Sequence, residues 1–483
     1  MTEETLNYED LNFPTVINAS NAMNLTVYNS KGKPRKLVLP FLDVPKAAVL
    51  GGIAFLNIGG TRCGKSQLMM DIHRHYFGGD ADQDGKSTWE VARNNFTADS
   101  FFSTINQDKV GEGKGMLSEA KVSVKKRVDA LCNIVDEVNL TLPEIQVEFF
   151  SMAEGRHNAL ELGQEGYHLF MASCNVNRIN GDYVGTSLIN KALLNRFGLT
   201  LDFDYFEKLD ADDDLLDSRE AAGRLRLAPL RDISPKILGA YHKIMESANK
   251  RDPLLDAYTR IFSSGLKYCY KDPDNKKKRI WPSNCGKCDF MSASNDRRLC
   301  HLVMHANTGT KGIIKQFAKS IEYLVQLKHG EKCLDQFELA LESFKFTTYH
   351  GNLNPLELLS TYNGEDQEHM NDVVARIREK IMPIRTYIDA AVDSAVSGNP
   401  ETRFIRLREK SSGKVRGESI YSERVYEGLK EVDSKQERIV LEVFDPFNDN
   451  SPSITFEKRT GIRMNWFKGY LDSLVQDKSM KCD

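Results

Sequence analysis

The chain has 483 residues, too many for one ordinary core, so two to four domains are expected. Hydrophobic residues make up 41% and charged residues 28%, the balance of a chain that can bury a large core. The 65 Lys and Arg against 68 Asp and Glu leave a net charge of −3, which excludes a surface coated for nucleic acid but not a local basic channel.

No stretch approaches the ~20 apolar residues needed to cross a bilayer. Met1-Thr2-Glu3-Glu4 lacks the basic-then-apolar pattern of a signal peptide, so a cytoplasmic location is expected. The nine cysteines are odd in number and scattered, unlike a secreted disulfide framework.

In chain order, the first thirty or so residues read as polar and irregular. A strand-like run, Lys36–Leu42, follows. The apolar block Ala47–Ile58 is expected to be a strand entering a Gly-rich loop, with an amphipathic helix over Gln67–Tyr76 behind it. Two further buried strands are expected at Ala130–Val135 and Tyr167–Ala172, with a helix from Leu142 to Met152 between them. An acidic stretch (Asp210, Asp212, Asp213, Asp214, Asp217) reads as a solvated turn. Helical spacing runs from Gly312 to a Gly330 C-cap, and again from Leu334 to Phe344. A long charged helix is expected from Asp366 toward Ala395, kinked or ended by Pro383, with strands at Arg403–Arg408 and Ile439–Phe444.

Gly59-Gly60-Thr61-Arg62-Cys63-Gly64-Lys65-Ser66 satisfies G-x-x-x-x-G-K-S. The glycines let backbone N–H groups turn inward around phosphates. The loop opens a helix, whose N-terminus attracts anions, and Gln67 continues that first turn. Lys65 is the residue to reach the β- and γ-phosphates of ATP, and the Ser66 hydroxyl the one to coordinate Mg²⁺. Asp136 and Glu137 end the strand after Ile134-Val135. Asp136 suits Mg²⁺ and Glu137 the orientation and deprotonation of an attacking water. Asn133, inside that strand, needs hydrogen-bond partners.

The segment Ile134–Gln146, with its acidic pair, Asn139, Pro143 and Gln146, resembles the corresponding region of MoxR-type AAA+ ATPases. Phe150–Arg156, Ala172-Ser173-Cys174-Asn175 and Ala192–Phe197 are similar to later motifs of that family, over about residues 47 to 207. The resemblance implies an α/β fold: an AAA+ P-loop core of parallel sheet flanked by helices over 36–207, after an irregular 1–35. It also implies a helical lid over 208–350. Residues 351–483 are expected to form an additional α+β domain outside the resemblance. The resemblance implies that Asn175 bonds the γ-phosphate or the water, and that Arg196 reaches the ATP site of the next subunit, an arginine supplied in trans. A homo-oligomeric ring, commonly a hexamer, follows. Arg62 and Cys63 depart from the family's smaller loop residues, and Lys311, in Gly309-Thr310-Lys311, stands where a second sensing arginine is usual.

Within the lid, Cys269, Cys285, Cys288 and Cys300 read C-x15-C-x2-C-x11-C. Such a knuckle suits Zn²⁺ on four sulfurs, with [4Fe–4S] using the same ligand set and His301 and His305 as alternative ligands. The insertion spans about 265–305 and carries the basic run Lys276-Lys277-Lys278-Arg279 beside Trp281, more simply a solvated face than a contact for nucleic acid or an acidic partner. The expected activity is ATP hydrolysis that remodels a protein partner in the manner of a chaperone. The alternatives are a nucleic-acid motor or loader of a mobile-element or defence system, and a nucleotide-gated scaffold.

Overall fold

The computed structural model describes residues 5–13, 20–28, 33–60, 63–81, 85–93, 103–105, 122–124, 126–157, 160–175, 191–205, 228–266, 299–303, 309–331, 333–347, 353–397, 404–409, 420–422, 436–441, 462 and 466–479. The chain forms two compact units, the first of Met1–Lys250, Gly312–Gly351 and Asn363–Gln367, the second of Arg251–Lys311, Asn352–Tyr362 and Glu368–Asp483.

The first unit opens with a hairpin of β1 (Asn21–Tyr28) and β2 (Pro34–Pro40), paired antiparallel. This corrects the expectation of an irregular start. Met23, Leu25 and Val27 alternate inward, with the polar Asn24 and Thr26 between them. The apolar block before the phosphate loop is likewise not one strand. It divides into α1 (Asp43–Gly51) and β3 (Phe55–Gly59). Both halves are fully buried, so apolarity alone does not separate them. Gly52 makes the break. It is left-handed at φ 59°, and its N–H returns to the carbonyls of Ala48 and Val49.

The core is a five-stranded sheet. Its members are β3, β4 (Ser87–Val91), β5 (Cys132–Asp136), β6 (Leu169–Asn175) and β7 (Leu199–Asp202). Their spatial order is β7-β3-β6-β5-β4, and every pairing is parallel. Such a sheet must be covered on both faces. Helix α2 (Lys65–His75) packs on one. On the other, Phe149 of the short helix Glu148–Ala153 stacks with Phe170 at 6.5 Å, and Phe170 with Phe197 at 5.5 Å. The expected helix over Leu142–Met152 forms only from Glu148. Ahead of it, around Pro143, the chain makes short 3₁₀ turns.

Asn133 has the partners a buried amide requires. Thr88 Oγ1 donates to its Oδ1 at 2.7 Å, and its Nδ2 donates to His168 Nε2 at 2.9 Å. The polar chain thus crosses from β4 through β5 to the residue before β6. Helices α3 (Ser234–Asn249), α4 (Thr310–His329) and α5 (Gln336–Thr347) complete the first unit. Gly330 caps α4 at φ 69° as expected. Lys328 of α4 and Tyr8 both bond the fully buried Asp43, at 2.6 and 2.7 Å.

The long helix Asp366–Val396 continues past Pro383, so that proline does not end it. Phe404–Glu409 is the central strand of an antiparallel three-stranded sheet, between Ile420–Ser422 and Gln436–Leu441. The closing helix Trp466–Ser479 is tied to Pro253–Arg260 by Tyr470, whose hydroxyl donates to the Pro253 carbonyl at 2.7 Å. Among the described residues no helix is long and apolar enough to cross a membrane. The acidic stretch Asp210–Asp217 lies outside the described residues.

Candidate functional site

Parallel strands deliver their C-terminal ends to one edge, where ligands of such sheets bind. Register sets which residues meet there. Asn175 pairs with Gly59 across β6 and β3, and Ala172 with Val135 across β6 and β5. The strand of the acidic pair is therefore not beside the strand of the phosphate loop. Strand β6 lies between them and inserts Ser173 and Asn175 into the gap.

The described part of the phosphate loop needs its glycines. Gly59 and Gly64 have φ values of 146° and 100°. A Cβ on Gly59 would lie 2.9 Å from Cys63 Sγ and 3.0 Å from Asp204 Oδ1. Thr61 and Arg62 lie outside the described residues. Gly64 is the N-cap of α2, so Lys65 and Ser66 stand in its first turn. Lys65 is 5% exposed. Its ammonium donates to the carbonyls of Gly59 (2.9 Å) and Gly60 and to Asn175 Oδ1 (3.0 Å), and lies 3.4 Å from Cys63 Sγ.

Asn175 then passes the contact on. Its Nδ2 donates to Glu137 Oε1 at 3.1 Å. Its backbone is held by Asn139, which donates to the Asn175 carbonyl at 3.0 Å and accepts its N–H at 3.4 Å. Glu137 sits at φ 56°, ψ 46°, a left-handed conformation that costs a non-glycine residue about 1 kcal/mol or more. Its N–H donates to Ser173 Oγ at 2.9 Å, which helps hold that turn. The Ser173 hydroxyl in turn donates to Asp136 Oδ1, the same oxygen that accepts from Ser66 Oγ at 3.1 Å.

Cys63 donates to the Gly60 carbonyl at 3.1 Å. Burial pushes its thiol pKa up, against the pull of nearby Lys65, so the S–H form is the one present at neutral pH. Gln67 turns along its own helix and donates to Asp71 at 2.8 Å. Its side chain, 8% exposed, is a packing element of α2.

Two participants escape sequence reasoning. Ser173 is visible only through register. Asp204 follows β7, and both its carboxylate oxygens accept from the Gly60 N–H at 2.8 Å. The available signal was an acidic residue just past a short strand, the same signal that marks Asp136.

Arg196 is not part of this cluster. Its Nε donates to Glu154 at 2.7 Å, its Nη1 to the Ala192 carbonyl at 2.9 Å, and its guanidinium lies 4.4 Å over the Phe150 ring. Lys311 lies in the first turn of α4. Cys269, Cys285, Cys288 and His305 lie outside the described residues, and only the backbone of Cys300 and His301 is described, in the short helix Leu299–Leu302. Cys63, Cys132, Cys174 and Cys333 are not joined in disulfides. Among the described residues no three His, Cys, Asp or Glu side chains gather as a metal site.

No protein-family model matches this chain, and no curated protein matches it. A solved structure from Cytophaga hutchinsonii, named "putative ATPase", is similar at 11% identity, covering 69% of this chain and 88% of its own, with a TM-score of 0.45. At that score the likeness bears no weight on fold or activity.

Proposed function

We propose that this protein binds ATP with Mg²⁺ and hydrolyses it. The observation that carries the reading is the chain Lys65–Asn175–Glu137 beside the pair Ser66–Asp136, on the C-terminal edge of a parallel sheet. A buried lysine at a helix N-terminus offers a phosphate a full charge and backbone donors together. Asn175 presents an amide between that cation and the carboxylate suited to align a water.

The donor set fits magnesium. Ser66 and Asp136 supply hard oxygens 3.1 Å apart, and Mg²⁺ prefers one or two such protein ligands beside phosphate oxygens. When bound, the ion supplies neutralisation of phosphate charge. The protein's own part is the rest. Lys65 holds the phosphates, Glu137 takes the proton of the water, and Asn175 fixes Glu137 where that transfer occurs. The test pairs two variants. Lys65→Ala should abolish nucleotide binding, whereas Glu137→Gln should keep binding and lose turnover. Equal turnover by parent and Glu137→Gln would instead favour the nucleotide-gated scaffold.

The finer reading is a MoxR-like AAA+ ring, commonly hexameric, that remodels a protein partner, with Arg196 serving the neighbouring subunit and Lys311 the same nucleotide from the lid. Its support is the ordered set of motifs over residues 47 to 207. Arg196 would first have to exchange its half-exposed Glu154 partner for a phosphate. Zinc, or an iron–sulfur cluster, on Cys269, Cys285, Cys288 and Cys300 belongs to the same proposal, as a brace for the lid insertion. Metal analysis of the purified protein tests it. ATP turnover measured with and without DNA separates protein remodelling from a nucleic-acid motor, which a large salt-sensitive stimulation would favour.

A further inference from the structure

Gly60 is held from both sides of its peptide unit. Its carbonyl accepts from Lys65 and from Cys63, two members of the loop itself. Its N–H goes outside the loop, to Asp204, with both carboxylate oxygens at 2.8 Å. Asp204 is itself fixed. The Phe203 N–H donates to the Ile58 carbonyl at 2.9 Å, which binds the end of β7 to the strand of the loop. Asp202, fully buried, accepts the N–H groups of Asp204 at 3.1 Å and Tyr205 at 3.3 Å. The carboxylate also lies against Gly59, where any side chain would strike it.

A carboxylate is a costly choice for this task. An amide or hydroxyl could accept the same N–H without placing a negative charge beside a site for a polyanion. The charge makes the bond to Gly60 stronger, and it also opposes the phosphates. These effects have opposite signs on affinity and can be separated by chemistry.

We propose that Asp204 is a positioning residue of the nucleotide site: it anchors the phosphate loop through the Gly60 N–H, and its charge holds affinity for the triphosphate below what the anchored loop alone would reach. The inference rests on the ATP-binding reading above. Asp204 acts through the Gly60 N–H of the loop, so its effect falls on binding and not on the hydrolytic step.

Two substitutions test it in the full chain, with fluorescent ATP titrations and steady-state turnover. Asp204→Ala removes the acceptor and should weaken ATP binding about tenfold, with kcat at saturating ATP within about twofold of the parent. Asp204→Asn keeps an acceptor and removes the charge, and should bind ATP severalfold more tightly than the parent; affinity equal to the parent's would overturn the role given to the charge. The proposal is overturned if Asp204→Ala binds like the parent, if Asp204→Asn is as weak as Asp204→Ala, or if kcat falls while affinity holds. A misfolded Asp204→Ala would show in its melting curve, and the Asn variant then decides alone. Lys65→Ala separates the two levels. If the parent and Lys65→Ala bind ATP alike, the ATP-binding reading falls. If Lys65→Ala loses ATP while Asp204→Ala does not, only the anchor falls.

Discussion

Asn175 Nδ2 donates to Glu137 Oε1 at 3.1 Å while its Oδ1 accepts from Lys65 at 3.0 Å. Only one orientation of the amide serves both neighbours, since an ammonium needs an acceptor and a carboxylate needs a donor. Asn175→Asp keeps the bond to Lys65 and turns the other into a repulsion. We expect kcat to fall about a hundredfold, within the range for disturbing a positioned general base, with a smaller loss of ATP affinity because the new charge stands beside the phosphates. Steady-state turnover with a parallel binding titration checks it. A larger loss of affinity than of kcat would move Asn175 from the hydrolytic step to binding.

Ser66 and Asp136 share one hydrogen bond at 3.1 Å, and Ser173 donates to the same Asp136 oxygen. Removing the Ser173 hydroxyl frees Asp136 to turn and leaves the Glu137 N–H without its acceptor. Ser173→Ala should therefore raise the Mg²⁺ concentration needed for half-maximal turnover and lower kcat by about tenfold, the scale of one lost hydrogen bond to a charged group. A magnesium titration of turnover reads both. Cys174→Ala, one residue along and facing the opposite side of the sheet, should leave both unchanged.

Gly59→Ala places a methyl group within 3.0 Å of Cys63 Sγ and Asp204 Oδ1, at a φ of 146° that side chains rarely adopt. The strain, about 1–3 kcal/mol, falls on the loop and not on the sheet. Nucleotide affinity should drop at least tenfold while the melting temperature moves by only a few degrees. A variant that binds like the parent would show that this loop conformation is not the one nucleotide uses.

What the sequence discloses follows what the chemistry constrains. The phosphate loop demands glycine, lysine and serine at set spacing, so it is legible without a structure. The acidic pair is legible because it ends an apolar run. Strands β4 and β7 are not, since Ser-Thr-Trp-Glu-Val and Leu-Thr-Leu-Asp are short and carry polar residues that find partners only in the fold. Ser173 and Asp204 join the site through register and through one turn after β7, and neither is a local property. The split of the apolar block into α1 and β3 depends on Gly52, whose left-handed turn fits against the rings of Tyr167 and Tyr241.

His168 offers a test of the fold that is separate from the site. Burial lowers its pKa to about 4. The Asn133 bond acts in the same sense. Thr88 occupies Asn133 Oδ1, so Nδ2 must donate to His168 Nε2, which therefore carries no proton. The folded state thus keeps His168 neutral on a pH scale where the unfolded chain, near 6.5, takes up a proton. The unfolded state binds more protons between those values, so stability present above pH 6.5 is lost as pH falls toward 4. The full effect is about 3 kcal/mol, an upper estimate from the difference between the two values. His73 and His75 are lowered by burial too and add loss of the same sign. The measurement is therefore a difference. The fall in melting temperature between pH 7.5 and pH 5 should be smaller by a few degrees in His168→Gln, which can accept from Asn133 and cannot titrate. Equal falls in parent and variant would mean that His168 is protonated in the fold, and with it the assigned direction of the Thr88–Asn133–His168 chain would be wrong.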